Sequence, residues 1–139
     1  MIKVAINRDF FACRDLVITP KIVVFPLNKE GLNSEQEPAS LLARKYRPEL
    51  AATGGDVLGE TREFFADEIN WVGVVCYSLD TMPFWDDAHR YIYKQLLCLP
   101  DQEIAVWLPS RRRFDNPEAF DKLVRGLENS GKSVILYTS

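Results

Sequence analysis

The chain has 139 residues, 47% of them hydrophobic and 12% aromatic, with a net charge of −3. This supports one domain with a real core and excludes a disordered chain or a binder of duplex nucleic acid that relies on an overall basic surface. Three cysteines, Cys13, Cys76 and Cys98, form no CxxC pair, which excludes a disulfide framework and a zinc ribbon.

The apolar residues near the start give way to Asn7, Arg8 and Asp9, so no leader is read there. No run of apolar residues reaches membrane-spanning length. The expectation is a soluble protein of a reducing cytoplasm, with no membrane partner. Cys76 and Cys98 fall in apolar segments and are expected in the core.

Residues 2–6 alternate weakly and predict a first strand. Residues 16–25 are apolar and β-branched and predict a second. Pro20 lies inside it and marks an edge, a bulge or a break. These two strands are expected to extend the sheet, at least one at an edge, and could pair antiparallel through a long connection.

Residues 26–55 carry three prolines and three glycines and read as an irregular surface segment or lid. A short helix through Leu41, Leu42 and Tyr46 fits inside it. Residues 56–69 read as a helix: Val57, Leu58, Thr61, Phe64, Phe65, Glu68 and Ile69 recur at three- and four-residue spacing. On that reading Phe64 and Phe65 both cover one face of the sheet. The stretch Gly54-Gly55-Asp56-Val57-Leu58-Gly59 lacks the Lys-Ser/Thr ending of a phosphate loop and reads as the start of this helix.

The remaining residues read most clearly. Apolar runs at 71–77, 104–108 and 134–137 have strand length. Between them lie two amphipathic stretches. In 83–99, Trp85, Ala88, Ile92, Leu96 and Leu99 form one stripe, while Asp86, His89, Arg90, Tyr93 and Lys94 take the other face. In 116–129, Asn116 is the cap, Pro117 the first helical residue and Gly131 the stop. Phe120, Leu123, Val124 and Leu127 form the buried stripe. Strand, helix, strand, helix, strand is a βαβαβ unit with three parallel strands. The predicted fold is a single α/β domain over 1–139 with a mainly parallel, three-layer sheet of the Rossmann-like or flavodoxin-like kind.

Right-handed crossovers bring the strand-to-helix loops to one edge of such a sheet, where open α/β folds bind ligands. The loop after the 71–77 strand holds Ser78, Asp80, Trp85 and Asp86; the loop after the 104–108 strand holds Arg111, Arg112 and Arg113. Three guanidinium groups before a helix N-terminus suit an anion. They also suit pairing with Asp80, Asp86 or Asp87. Asp80 and Asp86 are candidates for acid-base chemistry and equally for helix capping. His89, the single histidine, is a candidate base beside Asp86 or simply an exposed side chain. Trp85 could stack on a base or sugar, or belong to the core. No motif calls for a metal or a cofactor.

Two functions fit. One is a binder of, or an enzyme acting on, a phosphorylated or nucleotide-like small molecule at the carboxyl edge, with Asp80, Asp86 and His89 as the candidate catalytic residues and Ser78, Trp85, Arg111, Arg112 and Arg113 as the candidate binding residues. The other is a non-catalytic inhibitor or adaptor that meets a protein partner through 26–55.

Overall fold

A computed structural model of the chain describes residues 2–6, 21–28, 42, 57–77, 85–100, 102–107 and 117–138. Six strands form one sheet: β1 (Ile2–Ile6), β2 (Ile22–Asn28), β3 (Thr61–Ala66), β4 (Ile69–Tyr77), β5 (Ile104–Trp107) and β6 (Val134–Thr138). Two helices, α1 (Trp85–Cys98) and α2 (Pro117–Asn129), connect β4 to β5 and β5 to β6. The strand order is β1-β6-β5-β2-β4-β3. All neighbours are parallel except the β3–β4 hairpin, so the sheet is mixed.

The strands of the βαβαβ unit run parallel, as their spacing predicts. They are not consecutive in space. β2 inserts between β4 and β5, pairing Val23 with Trp71 on one side and with Ala105 on the other. Ile22 to Leu27 are buried without interruption, as a strand covered on both faces requires.

The period-2 pleat divides the apolar residues between two faces. On one face Val24, Val74, Val106 and Leu136 meet Ile92 and Leu96 of α1 and Leu123 and Leu127 of α2. Tyr91, Leu99 and Val124 pack around them, half-buried. Each fully buried Leu or Ile contributes about 1.5–3 kcal/mol relative to exposure, so both helix stripes are firmly held. On the other face Val23, Phe25, Leu27, Trp71, Val75, Ala105 and Trp107 gather around Leu42, which is helical and fully buried. The expected helix through Leu42 is met at that residue. Leu41, Tyr46, Pro20, Cys13 and the side chain of Phe120 lie outside what is described.

Several expectations are corrected. Residues 57–69 are not a helix. Val57 to Gly59 turn into β3, and β3 pairs antiparallel with β4 in the register Phe64 to Trp71 and Ala66 to Ile69. Gly54 and Gly55 lie outside the described residues, but the turn at Gly59 starts a strand. Asp67 and Glu68 have φ of 52° and 64°. A two-residue hairpin turn needs that left-handed pair to match the twist of its strands, and no right-handed helix can contain it.

Three- and four-residue spacing of apolar side chains over so short a stretch fits a half-buried edge strand as well as a helix. Phe64 is half-buried while Phe65 is 72% exposed, because successive strand residues point to opposite faces. Cys98 is exposed, on the outer side of the last turn of α1, whereas Cys76 is buried as expected. β1 and β2 do not pair antiparallel. β1 forms the sheet edge beside β6, and β2 lies inside the sheet. Residues 26–28 belong to β2 and not to the irregular segment. Pro26 is tolerated there because β5 pairs with β2 only from Ile22 to Val24, so one flank of β2 is free of a strand at the proline.

Candidate functional site

In a parallel sheet the strand ends define the site before any side chain does. β1, β6, β5, β2 and β4 all point the same way and end at Ile6, Thr138, Trp107, Asn28 and Tyr77. α1 and α2 start at this carboxyl edge, so the positive ends of two helix dipoles face it. Their far ends are fixed at the opposite edge. The Lys132 Nζ, two residues before β6, donates to the Leu99 carbonyl at 2.9 Å.

The strand order makes one place on the edge distinct. β5 leads through α2 to β6 on its one side, whereas β2 leads to the β3–β4 hairpin on its other side. The connections of these adjacent strands therefore diverge. They also use opposite faces: α2 lies on one, and Leu42, in the segment that follows β2, lies on the other. Diverging connections leave a crevice outside the carboxyl ends of the two strands.

The β2 and β4 strands beneath this edge are tightly packed. The β2–β4 register slips at its end, where Leu27 pairs with Val75 but Asn28 pairs with Tyr77. Cys76 sits in the slip, fully enclosed. Burial pushes its thiol well above the ordinary value of 9.0, partly opposed by a hydrogen bond with the Leu27 backbone. A thiol held neutral is a packing group and not a nucleophile.

Further down β4, Gly73 lies under the β2 side chains. A Cβ there would overlap Leu27 Cδ1 and lie 2.9 Å from Leu27 Cγ and 3.1 Å from Phe25 Cζ. Only a glycine lets β2 side chains lie this close to the β4 backbone.

Of the residues nominated from sequence, Ser78, Asp80, Arg111, Arg112 and Arg113 lie outside the described residues. Trp85, Asp86 and His89 occupy the start of α1, and their backbone places them at the carboxyl edge. β4 and β5 do end at one edge, but they are not adjacent strands. With β2 between them they are about 10 Å apart, twice the ordinary strand spacing. The end of β2 at Asn28 therefore lies between the ends of β4 and β5. Sequence reasoning missed this position because Pro26 reads as the end of a strand. Among the described residues no group of three His, Cys, Asp or Glu side chains could hold a metal ion. No described helix is long and apolar enough to cross a membrane.

No family model matches this chain, and no curated protein matches it in sequence. Solved structures do match it in shape. The chain aligns with the structure titled "Alphavirus P23pro-zbd" at a TM-score of 0.65 and 12% identity, over 99% of this chain and 22% of that one. It therefore spans about a fifth of the alphavirus protein's length. It aligns with a macrodomain protein from Streptomyces coelicolor at a TM-score of 0.65 and 15% identity, over 99% of this chain and 98% of that one. At such identities the likeness is one of fold: this chain shares the mixed α/β, single-sheet architecture of a macrodomain protein along nearly its whole length.

Proposed function

We propose that the chain binds a phosphorylated or nucleotide-like small molecule at the carboxyl edge of its sheet, in the crevice outside β2 and β5. The observation that carries this reading is the divergence of the connections at those two strands, with the N-termini of α1 and α2 at the same edge. An anion there meets the positive ends of two helices. The macrodomain likeness agrees with a nucleotide-like ligand. In this reading the sheet and its helices form a three-layer arrangement, Arg111, Arg112 and Arg113 supply charge-assisted donors from the β5 side, and Ser78 and Trp85 approach from the β4 side. Asp80, Asp86 and His89 are the groups available for acid-base work if the ligand is also transformed.

The alternative is an adaptor that meets a protein through 26–55. It has less to support it: Leu42, within that segment, is fully enclosed against the sheet.

The test is a thermal-shift panel of phosphate, AMP, ADP and ADP-ribose on the whole chain. A rise in Tm with one of them is expected, and it should vanish when Arg111, Arg112 and Arg113 are changed together to Gln. A panel without any shift, or a Gln variant that responds as strongly, overturns the reading.

A further inference from the structure

A second concavity lies away from the carboxyl edge, on the solvent side of the helix layer. α1 and α2 run parallel on the same face of the sheet, and a cavity of about 670 Å³ opens between them. Arg90 and Lys94 line it from α1, and Lys122 and Arg125 from α2. Among the described residues no carboxylate lines it. Tyr91 and Tyr93, both half-buried, contribute rings.

The floor is set by Gly126, whose Cα presents no side chain toward Tyr93. A Cβ there would sit 3.7 Å from Tyr93 Cδ2, in ordinary contact, so anything longer than a methyl would rise into the cavity.

Each helix brings two cations to this groove. Arg90 and Lys94 are four residues apart on α1, and Lys122 and Arg125 three apart on α2. Like charges at these spacings repel, at a cost of about 0.2–0.5 kcal/mol per pair. The two pairs then face each other across the cavity. Glu118 and Asp121 stand one turn before Lys122 and Arg125, at the spacing that could neutralise them. Both carboxylates have interactions of their own, yet Lys122 and Arg125, like Lys94, form no ion pair among the described residues. Arg90 has an interaction of its own and adds a fourth positive charge.

We infer that this groove binds the phosphate and base of a nucleotide, either free or as a stretch of single-stranded nucleic acid. Cations at the rim suit phosphate oxygens, and tyrosine rings suit the face of any base. The cavity lies within the usual range of ligand pockets, about 300–1,000 Å³. The groove is open along the helices, so a chain of nucleotides could continue beyond it. This site is separate from the carboxyl-edge crevice and does not depend on it. The chain's overall charge of −3 does not oppose it, because screening confines charge effects to about 10 Å at ordinary salt.

The experiment is fluorescence anisotropy with a labelled oligouridine of about ten nucleotides, within the span of single-strand sites. UMP, ADP and polyglutamate serve as competitors. Three phosphate contacts give a log-log salt slope of about −2, so about fourfold more salt should weaken binding about 16-fold.

The Lys94→Gln, Lys122→Gln, Arg125→Gln triple variant should lose at least about tenfold in affinity with an unchanged Tm. Gly126→Glu, which puts a carboxylate on the floor and improves helix propensity, should lose affinity as much without lowering Tm. The Arg111, Arg112, Arg113 to Gln variant should bind as the parent does, which separates this site from the carboxyl edge. Competition by the mononucleotides at matched phosphate concentration identifies a free nucleotide as the ligand. Competition by oligouridine alone identifies a strand. Absence of binding, equal binding by the triple variant, or equal competition by polyglutamate overturns the proposal.

Discussion

Lys132 reaches back across the amino edge of the sheet and donates from its Nζ to the Leu99 carbonyl at 2.9 Å. Leu99 follows the last turn of α1, and Lys132 lies in the turn that ends α2, so one side chain ties the carboxyl ends of both helices together. The turn that presents it is well made. Gly131 takes φ of 72°, the Ser130 hydroxyl donates to the Leu127 carbonyl at 2.6 Å, and its oxygen accepts from the Lys132 N–H at 3.1 Å. A cation here also meets the negative end of the α1 dipole. Lys132→Met keeps the stem and loses the bond. It should cost about 1 kcal/mol, the scale of one part-exposed charged hydrogen bond, measured by urea denaturation. A loss indistinguishable from zero would show that the bond adds nothing to the fold.

Trp71 anchors the other face. Its ring is fully buried, stacks on Phe64 with centroids 6.0 Å apart and 15° between planes, and meets Phe25 edge-on at 6.5 Å. Its Nε1 donates to the Ala66 carbonyl at 3.1 Å and so braces the hairpin turn from beneath. Trp71→Phe removes that donor and leaves a gap. The expected loss is about 2–4 kcal/mol, from the lost part-buried hydrogen bond together with a partly filled cavity. Calorimetry should show it as a Tm lowered by several degrees, and an unchanged Tm would refute it.

Two glycines should respond to alanine with opposite signs. At Gly73 the new Cβ collides with Leu27 and comes close to Phe25 inside a full core, so Gly73→Ala should destabilise by about 1–3 kcal/mol. At Gly126, mid-helix, the Cβ finds Tyr93 at an ordinary 3.7 Å. Helix propensity then favours alanine, and Gly126→Ala should stabilise by about 0.5–1 kcal/mol. Paired denaturation curves would settle both, and the same sign at both positions would contradict the packing.

Cys76 and Cys98 should differ as thiols. Cys98 is exposed, whereas Cys76 is buried with its ionisation opposed by desolvation. In a Cys13→Ser background, a thiol reagent at mild alkaline pH should react promptly with one group and with the second only in denaturant. There is a pH consequence with a definite sign. The folded thiol titrates above the unfolded one, so the stability this difference provides is intact below the unfolded value near 9.0 and is lost as pH rises above it. The loss approaches about 1.4 kcal/mol per pH unit for one such group. Cys76→Ala should flatten this slope above pH 9, and a slope unchanged by the substitution would place its origin elsewhere.

From Trp71 to the end, the sequence by itself determined the elements. Ile92 with Leu96 and Leu123 with Leu127 recur at helical spacing, the apolar runs at 104–108 and 134–137 have strand length and meet β5 and β6, and Gly131 ends α2 where its positive φ requires. The helical crossovers added the direction of the strands, since a helix between two strands returns the chain to make them parallel and brings their carboxyl ends to one edge.

Tertiary structure alone decided the rest. β2 enters between β4 and β5 because its residues are apolar on both faces and need covered neighbours on each side, a demand of the whole sheet and not of any local pattern. That insertion puts the end of β2 at Asn28 between the ends of β4 and β5. Residues 61–66 become a strand because pairing with the open flank of β4 satisfies the backbone and slides Phe64 onto Trp71, an advantage invisible in their ambiguous spacing. The four cations of the helix groove lie up to 35 residues apart, from Arg90 to Arg125, and only the parallel packing of α1 on α2 brings them to face one another.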